Sequence, residues 1–552
     1  MAHQQQPKPS VEAIENTGQD ADFQENAPVE RPWQSLRAHP KIVLFAILAN
    51  IGPLMFGYDL VIVGAISALP TFRLTPQKTQ QLGVGYPDRQ INRQDFGQRV
   101  GPTYILPALW LGLWNGLVQA GAAGGSVGAG WFQDRFGRRA TFFVGGMLGL
   151  IGTAASYTSG MPDSVMDRRG LFLLAKIVIG MGCGVLMSAC QTYISEIAPK
   201  NLRGVVLGFY AFNVSLGHLI AVAIVFTQSS GQTAASYQVP FATQWAFGGV
   251  AVIAAFLLPE SPVWLIARDH IEKAEKSLQR LGTGGSHNML QRIRATLTHE
   301  EDESQGPPTF RECFQGVNFR RTRIIVWLNV LQQFVGMALL TNGAYFLIMA
   351  GMSARYSLMV NLIGVASNMV ANAISWHTVP RFGRRTMILI SIVLDCVAWL
   401  SMGIAACFGS AAAQWYVGVA LLLFGFFNSF GVASAVPVIA SEISRVRLRS
   451  KAGGIGFAAQ SIGNWVFSFF TPYMYNTDEA NWGGKIGFFF AGLSVVAFVV
   501  TWFEVPETMG RTHADLDYLF ESRIKSWSFA KAAVPDMQAT EDDLKELGGE
   551  KF

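Results

Sequence analysis

The sequence Arg-Phe-Gly-Arg-Arg occurs at Arg135–Arg139 and again at Arg381–Arg385, 246 residues later. Ser-Glu-Ile recurs at the same offset, at Ser195–Ile197 and at Ser441–Ile443. Two further pairs keep this spacing to within one residue: Arg203 with Arg449, and Pro259-Glu260-Ser261 with Pro506-Glu507-Thr508. Four elements in one register indicate that the chain consists of two homologous halves in the same orientation.

The composition indicates that both halves lie in a membrane. Half of the 552 residues are hydrophobic and only 14% are charged, whereas a soluble domain has about 25% charged residues. The mean hydropathy is +0.29, and the 57 glycines and 39 phenylalanines suit helices that pack closely inside lipid. These values exclude a secreted disulfide scaffold, a disordered protein and an ordinary soluble enzyme.

Apolar segments of about 20 residues can cross a bilayer as helices. The sequence predicts twelve such spans, six in each half, and therefore an all-α membrane protein of two six-helix bundles. The predicted spans are 42–69, 104–132, 140–160, 171–194, 204–227, 244–258, 324–350, 357–379, 386–409, 414–440, 452–475 and 485–504. The sixth is short, so we expect it to begin in the preceding loop.

The predicted organisation has five parts. They are a polar tail at 1–40, a bundle at 41–258, a linker at 259–323, a second bundle at 324–505 and a tail at 506–552. The linker contains an amphipathic helical stretch over Ser261–Leu281 and an acidic run at Glu300–Glu303. It is the only large break in the hydrophobic pattern.

Basic residues mark one side of the membrane. The clusters are Arg135/Arg138/Arg139, Lys200/Arg203, Arg381/Arg384/Arg385 and Arg445/Arg447/Arg449/Lys451, whereas the loops 228–243 and 410–413 contain no Lys or Arg. The positive-inside rule places these clusters and both termini in the cytoplasm of a multi-pass cell-membrane protein, although a vacuolar or other internal membrane stays open. The segment Thr71–Thr103 is an exception, because it has five cations on the side expected to be outside.

Charges dispersed between spans do not form a nucleic-acid surface, so the expected partners are the lipid bilayer and a small solute, and we expect a monomer.

Several further motifs surround the repeats. They are Gly57-Tyr58-Asp59, Gly130 to Arg139, Ser195-Glu196-Ile197-Ala198-Pro199, Pro259-Glu260-Ser261-Pro262, Gln332-Gln333-x-x-Gly336 and Pro506-Glu507-Thr508-x-Gly510-Arg511. With these motifs the chain resembles the sugar porter family of the major facilitator superfamily over nearly all of residues 40–525. The stretch from Asn481 to Phe489 and the later Leu519-Phe520-Glu521 look like the fungal α-glucoside (maltose) permease branch. The resemblance implies the major facilitator fold and transport of a sugar by alternating access, as a proton symporter.

Asp59 is the first candidate for the coupling machinery. A carboxylate within a predicted span is costly and is a functional hypothesis by default, although pairing with a helix end is an alternative. The resemblance implies that Asp59 takes the coupling proton and that Lys176 in span four is its cation, where the family has arginine. Snorkelling of Lys176 to the outer surface is a second alternative. Apart from the coupling proton, no cofactor and no metal are expected.

A second group of charges lies at the basic ends of the spans. Its members are Asp134, Arg138, Glu196, Arg203, Glu260, Arg384, Glu442, Arg447, Arg449 and Glu507. Surface ion pairs worth less than about 1 kcal/mol each would explain a cluster but not its doubled register. The resemblance implies a gating network that joins the halves when the transporter faces outward. Because Pro380 stands where the repeat of Asp134 would be, the network is predicted to be asymmetric.

The candidate solute contacts are polar residues in predicted spans: Gln332, Gln333, Asn368, Asn464 and His218. The resemblance implies the first four, and their amides offer donors and acceptors to hydroxyl groups. Bonds between helices are the alternative for the amides, and packing inside the bundle is the alternative for His218. Several of the family's contact positions hold other residues here: Ala211, Ala338, Pro437 and Ser468. The apolar run over 335–340 also argues against a glucose-type site.

Three other functions stay open at this point. The first is a carrier or exporter of a glycosidic or non-sugar metabolite, or a uniporter, on the same fold. The second is a nutrient receptor without transport, which the short tail Pro506–Phe552 disfavours. An enzyme is least favoured, because the sequence has no metal-ligand spacing, nucleophile elbow or phosphate loop. Asp395, in the ninth predicted span, has no role implied by the resemblance.

Overall fold

The computed structural model consists almost entirely of helices. It describes residues 39–77, 91–100, 103–198, 200–231, 233–282, 289–291, 293–294, 309–445, 448–511, 513–530 and 532. Most of the predicted amino-terminal tail, the acidic run Glu300–Glu303 and Arg447 lie outside the described residues. For Arg203 and Arg449 the helical backbone alone is described.

Six spans form the first half. Span 1 consists of two helices that meet at Asn50, and span 6 begins at Ala235, so it has the extension expected from the sequence. The helices are α1 (Pro40–Ala49) and α2 (Ile51–Ser67) in span 1, α3 (Pro70–Arg73), α4 (Ala108–Phe136) in span 2, α5 (Arg138–Thr158) in span 3, α6 (Val165–Ile197) in span 4, α7 (Lys200–Thr227) in span 5 and α8 (Ala235–Leu257) in span 6. Two short antiparallel hairpins lie between α3 and α4: β1 (Leu74–Gln77) with β2 (Ile91–Gln94), and β3 (Gln98–Val100) with β4 (Thr103–Ile105).

The second half repeats this plan after a linker whose described residues include two helices that pack on the first half. They are α9 (Pro262–Ala267) and α10 (Ile271–Leu281). The six spans are α11 (Gly316–Phe334), α12 (Met337–Thr341) and α13 (Gly343–Met349) in span 7, α14 (Ala354–Phe382) in span 8, α15 (Arg384–Ala405) in span 9, α16 (Ala411–Phe430) and α17 (Val432–Ile443) in span 10, α18 (Arg449–Tyr475) in span 11 and α19 (Ile486–Glu504) in span 12. The short helix α20 (His513–Glu521) follows.

Eight spans within the described residues are long and apolar enough by composition alone to cross a membrane: spans 1, 3, 4, 6, 8, 9, 10 and 12. Spans 2, 5, 7 and 11 complete the twelve. These four spans include the helices that bring the halves together, because span 2 packs on span 11 and span 5 packs on span 8. The polar and small residues that reduce their hydropathy therefore lie where helices meet each other and not only lipid.

Span 7 is interrupted where the sequence predicts one continuous helix. Gly336 has φ of +104°, a left-handed conformation that glycine adopts at no steric cost, and α11 ends just before it. The break releases the carbonyl of Val335, which accepts a 2.7 Å hydrogen bond from Trp399 Nε1 of span 9. A Cβ at Gly336 would lie 2.6 Å from the same indole ring. Trp399 therefore satisfies the broken helix and fills the space beside it.

The hairpins form a cover over one end of the first half. Arg168 of span 4 forms a buried 3.3 Å ion pair with Asp95, and Arg169 Nε donates to the carbonyl of Phe96 at 3.0 Å. Phe96 is fully buried among aromatic rings of spans 2, 4 and 6. Arg73, one of the cations that disagree with the charge rule, donates to the carbonyl of Tyr104 at 3.1 Å. At least this cation therefore has a structural partner within the cover.

The linker helices pack on the first half. Trp264 Nε1 of α9 donates to the carbonyl of Asp134 at 3.0 Å, and Ser277 Oγ of α10 donates to the carbonyl of Glu260 at 2.5 Å. The predicted amphipathic stretch is divided at Asp269, which has φ of 58°. Its apolar side, including Ala274 and the leucines that follow, is buried.

Candidate functional site

A buried ion pair lies in the middle of the first half. Lys176 Nζ of span 4 donates to Asp59 Oδ1 of span 1 at 2.5 Å, and the two side chains are 1% and 2% exposed. Gln244 Nε2 of span 6 donates to the same carboxylate oxygen at 3.0 Å. Three spans therefore converge on one oxygen atom of Asp59.

The other carboxylate oxygen of Asp59 is different. Oδ2 is buried and has no hydrogen-bond partner among the described residues. A buried acceptor without a partner costs about 1–3 kcal/mol. The carboxylate is thus bonded to two spans through Oδ1 and unpartnered at Oδ2.

Small residues allow the spans around Asp59 to approach each other. A Cβ at Gly57 would lie 2.1 Å from the carbonyl oxygen of Val214 in span 5. On the other side, Tyr58 Oη donates to the carbonyl of Pro240 in span 6 at 2.7 Å. Asp59 is therefore placed by its two preceding residues, one packed against span 5 and one bonded to span 6.

A small cavity lies between the two halves. The first half contributes Val61 from span 1 and His218 from span 5. Spans 7, 8 and 10 of the second half supply the other lining residues: Met337, Leu340, Thr341, Val360, Asn361, Gly364, Val365, Asn368, Leu421 and Leu422. Val61 lies two residues after Asp59 on α2, so the cavity and the ion pair adjoin the same segment of span 1 but lie on different faces of the helix.

The structure brings some of the predicted solute contacts to this cavity. His218 and Asn368 line it. Gln332, Gln333 and Asn464 are not among the lining residues within the described part of the chain. Gln333 is 2% exposed and contacts Gly463 of span 11, and Asn464 Oδ1 accepts a 3.0 Å bond from Ser468 of its own helix. Gln333 therefore lies at the contact between spans 7 and 11, whereas Asn464 is bonded within span 11.

At the basic ends of the spans, the same backbone arrangement occurs in both halves. Glu260 accepts bonds from the first backbone N–H groups of span 3, at Arg138 (2.8 Å) and Arg139 (3.3 Å). Glu507 accepts from the corresponding groups of span 9, at 3.0 Å and 3.1 Å. Both glutamates therefore satisfy the unpaired donors of a helix N-terminus, where negative charge is also favoured.

The side chains of the arginines are also paired, with one difference. Arg138 binds Glu196 through two bonds, from Nε at 3.0 Å and from Nη2 at 2.6 Å. Arg384 makes one 3.2 Å bond to Glu442, whose Oε2 has no partner among the described residues. Asp134 is 77% exposed and lies 3.7 Å from Arg138. Each of these bonds joins residues of a single half.

Spans 2 and 11 touch near one end only. A Cβ at Gly116 of span 2 would lie 2.5 Å from the ring of Trp465 in span 11. About four turns closer to the basic end, Gly130 faces nearly the same way on span 2, and a Cβ there would meet nothing within 4 Å. The same holds for Gly454, three turns from Trp465 on span 11. The halves therefore diverge toward their basic ends.

Buried hydrogen bonds close the interface at the opposite ends. Asn115 Nδ2 of span 2 donates to Asn342 Oδ1 of span 7 at 3.0 Å. The backbone N–H of Leu106 donates to Tyr345 Oη at 3.0 Å, and its carbonyl accepts a 2.7 Å bond from Asn476 Nδ2. Among the described residues, the interface is therefore bonded opposite the basic ends, whereas spans 2 and 11 leave open space beside Gly130 and Gly454.

The model of the family described as "Sugar (and other) transporter" matches residues 45–520. The chain belongs to this family. Its resemblance to the sugar porters of the major facilitator superfamily is thereby confirmed, and the twelve-helix fold predicted from the sequence agrees with the structure. The porter is a multi-pass membrane protein.

Curated fungal proteins are similar to this porter along most of their length. "MFS transporter fmqE" of Aspergillus fumigatus is 31% identical over 550 residues, which cover 95% of this chain and 98% of that protein. The "General alpha-glucoside permease" of Saccharomyces cerevisiae is 28% identical over 91% of this chain and 79% of the permease. "Maltose permease MAL61" of the same organism is 26% identical over 93% of this chain.

Solved structures of the xylose transporter XylE from E. coli share the fold of the porter. The partially occluded inward-open conformation matches with a TM-score of 0.67 and 22% identity, and it covers 86% of this chain and 100% of XylE. A structure described as the proton:xylose symporter XylE bound to 6-bromo-6-deoxy-D-glucose matches with a TM-score of 0.63. These matches establish the major facilitator fold of the porter.

Sequence reasoning did not identify two polar residues of the porter's interior. Gln244 was placed at the start of the sixth predicted span, and Asn361 was not separated from the surrounding apolar residues of span 8. Each is an amide in a largely apolar segment, which is a weak signal for a buried polar contact. Their partners lie on other helices, so only the packing shows that Gln244 faces Asp59 and that Asn361 faces the cavity.

Proposed function

We propose that this porter is a secondary active transporter that moves a sugar, in particular an α-glucoside or a related hydroxylated solute, together with a proton. The observation that carries this proposal is the Asp59–Lys176 ion pair, buried in the membrane interior beside the solute cavity. Burying two charges is costly unless they are used or very well compensated. The similarity to the General alpha-glucoside permease supports an α-glucoside as the solute.

Two states with different access are needed for such coupling. We assign the basic ends of the spans, with both termini, to the cytoplasm of a cell membrane, because cytoplasmic loops are enriched in Lys and Arg. With this orientation the structure corresponds to an inward-facing state, since the spans diverge at those ends. In it Lys176 is bonded to Asp59, which favours the deprotonated carboxylate and release of the proton to the cytoplasm.

Loading occurs in the opposite state of this cycle. When the halves close at the cytoplasmic ends and open outside, Asp59 takes a proton at Oδ2 and its attraction to Lys176 is lost. The solute enters the cavity between His218 and Asn368. Closure of the bonds around Asn115 and Leu106 then returns the porter to the inward-facing state, where solute and proton leave together.

The charges at the basic ends have a separate role in this cycle. In the inward-facing state Glu196 and Glu260 are bonded within the first half, and Glu442 and Glu507 within the second. We assign these groups, with Asp134, Arg203, Arg447 and Arg449, to a network that also joins the halves when the cytoplasmic side closes. Several weak bonds formed together can bias a two-state equilibrium by a few kcal/mol.

The test is uptake of an α-glucoside into proteoliposomes with and without an inward proton gradient. We expect the gradient to drive accumulation by the wild-type porter. Asp59→Asn should abolish accumulation and leave exchange of solute across the membrane, because the amide cannot release a proton. Accumulation by Asp59→Asn equal to that of the wild type would refute proton coupling through this residue.

A further inference from the structure

The wall of the cavity is mostly apolar. Eight of its twelve lining residues have no polar side-chain atom. Apart from Val61 and Gly364, all of these lie in spans 7, 8 and 10: Met337, Leu340, Val360, Val365, Leu421 and Leu422. A hexose carries hydroxyl groups around its whole ring, and each hydroxyl that is buried against such a wall loses its hydrogen bonds to water without replacement. The second half therefore presents a surface suited to an apolar group.

The cavity also contains polar atoms that lack partners. Asn361 is 92% buried, and its Oδ1 has no hydrogen-bond partner among the described residues. The same holds for Asn368 Oδ1 and His218 Nε2. Thr341 differs, because its hydroxyl already donates to the carbonyl of Met337 at 3.1 Å. The unsatisfied oxygens require hydrogen-bond donors, which a hydroxylated solute can supply.

These polar atoms occur at two levels of the cavity. Asn361 and Asn368 are seven residues apart on span 8, which places them on one helix face about 10 Å apart. Gly364 and Val365 lie between them and line the cavity. A solute that fits has an apolar middle with donors on either side of it.

We propose that the cavity selects α-glucosides whose aglycone is a hydroxylated aromatic ring, over glucosides with a small or fully hydroxylated aglycone. Asn361, the more buried of the two asparagines, binds the ring hydroxyl. Asn368 and His218 bind the glucosyl group, which has several donors, and the ring between them packs on Leu340, Leu421 and the neighbouring apolar wall. This inference rests on the proposed transport function, since it names the solute class of the same site.

The test is equilibrium binding by calorimetry to the full chain in lipid nanodiscs. The probes are 4-hydroxyphenyl α-glucoside, phenyl α-glucoside, methyl α-glucoside and maltose. We expect 4-hydroxyphenyl α-glucoside to bind tightest. Its affinity should exceed that of methyl α-glucoside by about 10-fold or more, because the aromatic ring adds apolar contact. Maltose or methyl α-glucoside binding as tightly as the aryl glucosides would overturn the inference, as would absence of binding by all four at millimolar concentration.

Variants test the assignment of Asn361. In the wild type we expect 4-hydroxyphenyl α-glucoside to bind about 2- to 10-fold more tightly than phenyl α-glucoside. This advantage in affinity should disappear in Asn361→Leu. Asn428→Leu is the control, because Asn428 is also a buried asparagine of a membrane span, but it is not among the cavity-lining residues. It should keep the advantage. Asn361→Ser serves as a smaller change if the leucine variant does not elute as a single folded species; an unchanged advantage in either variant contradicts the assignment.

Failure of this inference can be distinguished from failure of the proposed function. If the probes bind in the predicted order but no solute enters proteoliposomes, the transport proposal fails and the solute class stands. If maltose both binds best and accumulates with the proton gradient, the transport proposal stands and the solute class is wrong.

Discussion

The two halves are alike at their basic ends and different in the membrane interior. Glu260 and Glu507 bind the first N–H groups of spans 3 and 9 at nearly the same distances, beside glycines with φ of +92° and +91°. A Cβ at either glycine, Gly137 or Gly383, would lie 2.6 Å from the glutamate oxygen. This motif closes a helix N-terminus through backbone contacts, so it works equally in both halves.

The interior differs at matching positions. The residue 246 positions after Lys176 is Leu422, which lines the cavity. The first half thus has a charge where the second has an apolar contact. At two other matching positions the second half has the polar residue, because Gly149 and Gly182 correspond to Asp395 and Asn428. Spans 3 and 4 touch at these glycines, since a Cβ at Gly182 would lie 2.9 Å from the backbone nitrogen of Gly149. One duplicated scaffold therefore supports a proton site in one half and most of the solute wall in the other.

The largest effect is expected from giving span 4 the residue that span 10 has. Lys176→Leu leaves the Asp59 carboxylate buried without its cation, which costs about 3–5 kcal/mol. We expect a lower melting temperature in nanodiscs and loss of proton-driven accumulation. The double variant with Asp59→Leu should regain most of the melting temperature, because two apolar residues leave no buried charge, while accumulation stays lost.

The comparison would break if the double variant were as unstable as Lys176→Leu alone. That result would mean that Lys176 stabilises the first half by contacts other than Asp59. The matched control is Leu422→Met in the second half, which conserves volume and should change the melting temperature little.

The helix caps should show the similarity of the halves. Glu260→Ala and Glu507→Ala each remove the acceptor of at least two backbone N–H groups at the start of a span, and we expect each to cost about 1–3 kcal/mol of stability. Thermal unfolding of both variants measures this cost. Stability losses that differ by more than about 2 kcal/mol would show that the two caps are not equivalent. The control is Glu→Gln at either position, which should lose less stability because the amide oxygen still accepts hydrogen bonds.

Features that a repeated sequence motif marks can be predicted from the sequence, whereas features that depend on how separate spans pack together cannot. The doubled motif is visible in the sequence, because Gly137 and Arg138 recur at an offset of 246 and Glu260 at 247, whereas the role of the two glutamates as helix caps is not; the Asp59–Lys176 contact is expected from the resemblance. The rotation of each helix about its axis was not foreseeable, because apolar residues surround most spans and leave no polar face to orient them. For this reason Asn361 and Gln244 were missed, and the break at Gly336 depends on a bond from Trp399 in another span.

A smaller effect is expected where the halves meet. Asn115→Leu removes the buried bond to Asn342 and leaves the Asn342 oxygen without this donor. A net hydrogen bond is worth about 0.5–1.5 kcal/mol, so the population closed on this side should fall by about 2- to 10-fold. Labelling of a cysteine introduced at Val61, which lines the cavity, by a membrane-impermeant reagent added outside measures this shift. Unchanged labelling would show that the bonds of Leu106 alone hold this side closed.

The smallest effect is expected at Asp395, which tests whether the second half also carries a proton. This carboxyl is fully buried, and the polar neighbours described around it are Ser391 and Asn428, with no Lys or Arg bonded to it in the described part of the chain. Without a bonded cation, this carboxyl lacks the kind of ion pair that the coupling proposal assigns to Asp59. Asp395→Asn keeps the shape of the side chain and removes a group that is costly to ionise. We therefore expect a change in stability below about 1 kcal/mol and unaltered proton-driven accumulation, in contrast to Asp59→Asn. Loss of accumulation in a folded Asp395→Asn porter would mean that proton coupling involves both halves, and that the difference between Lys176 and Leu422 does not divide their functions.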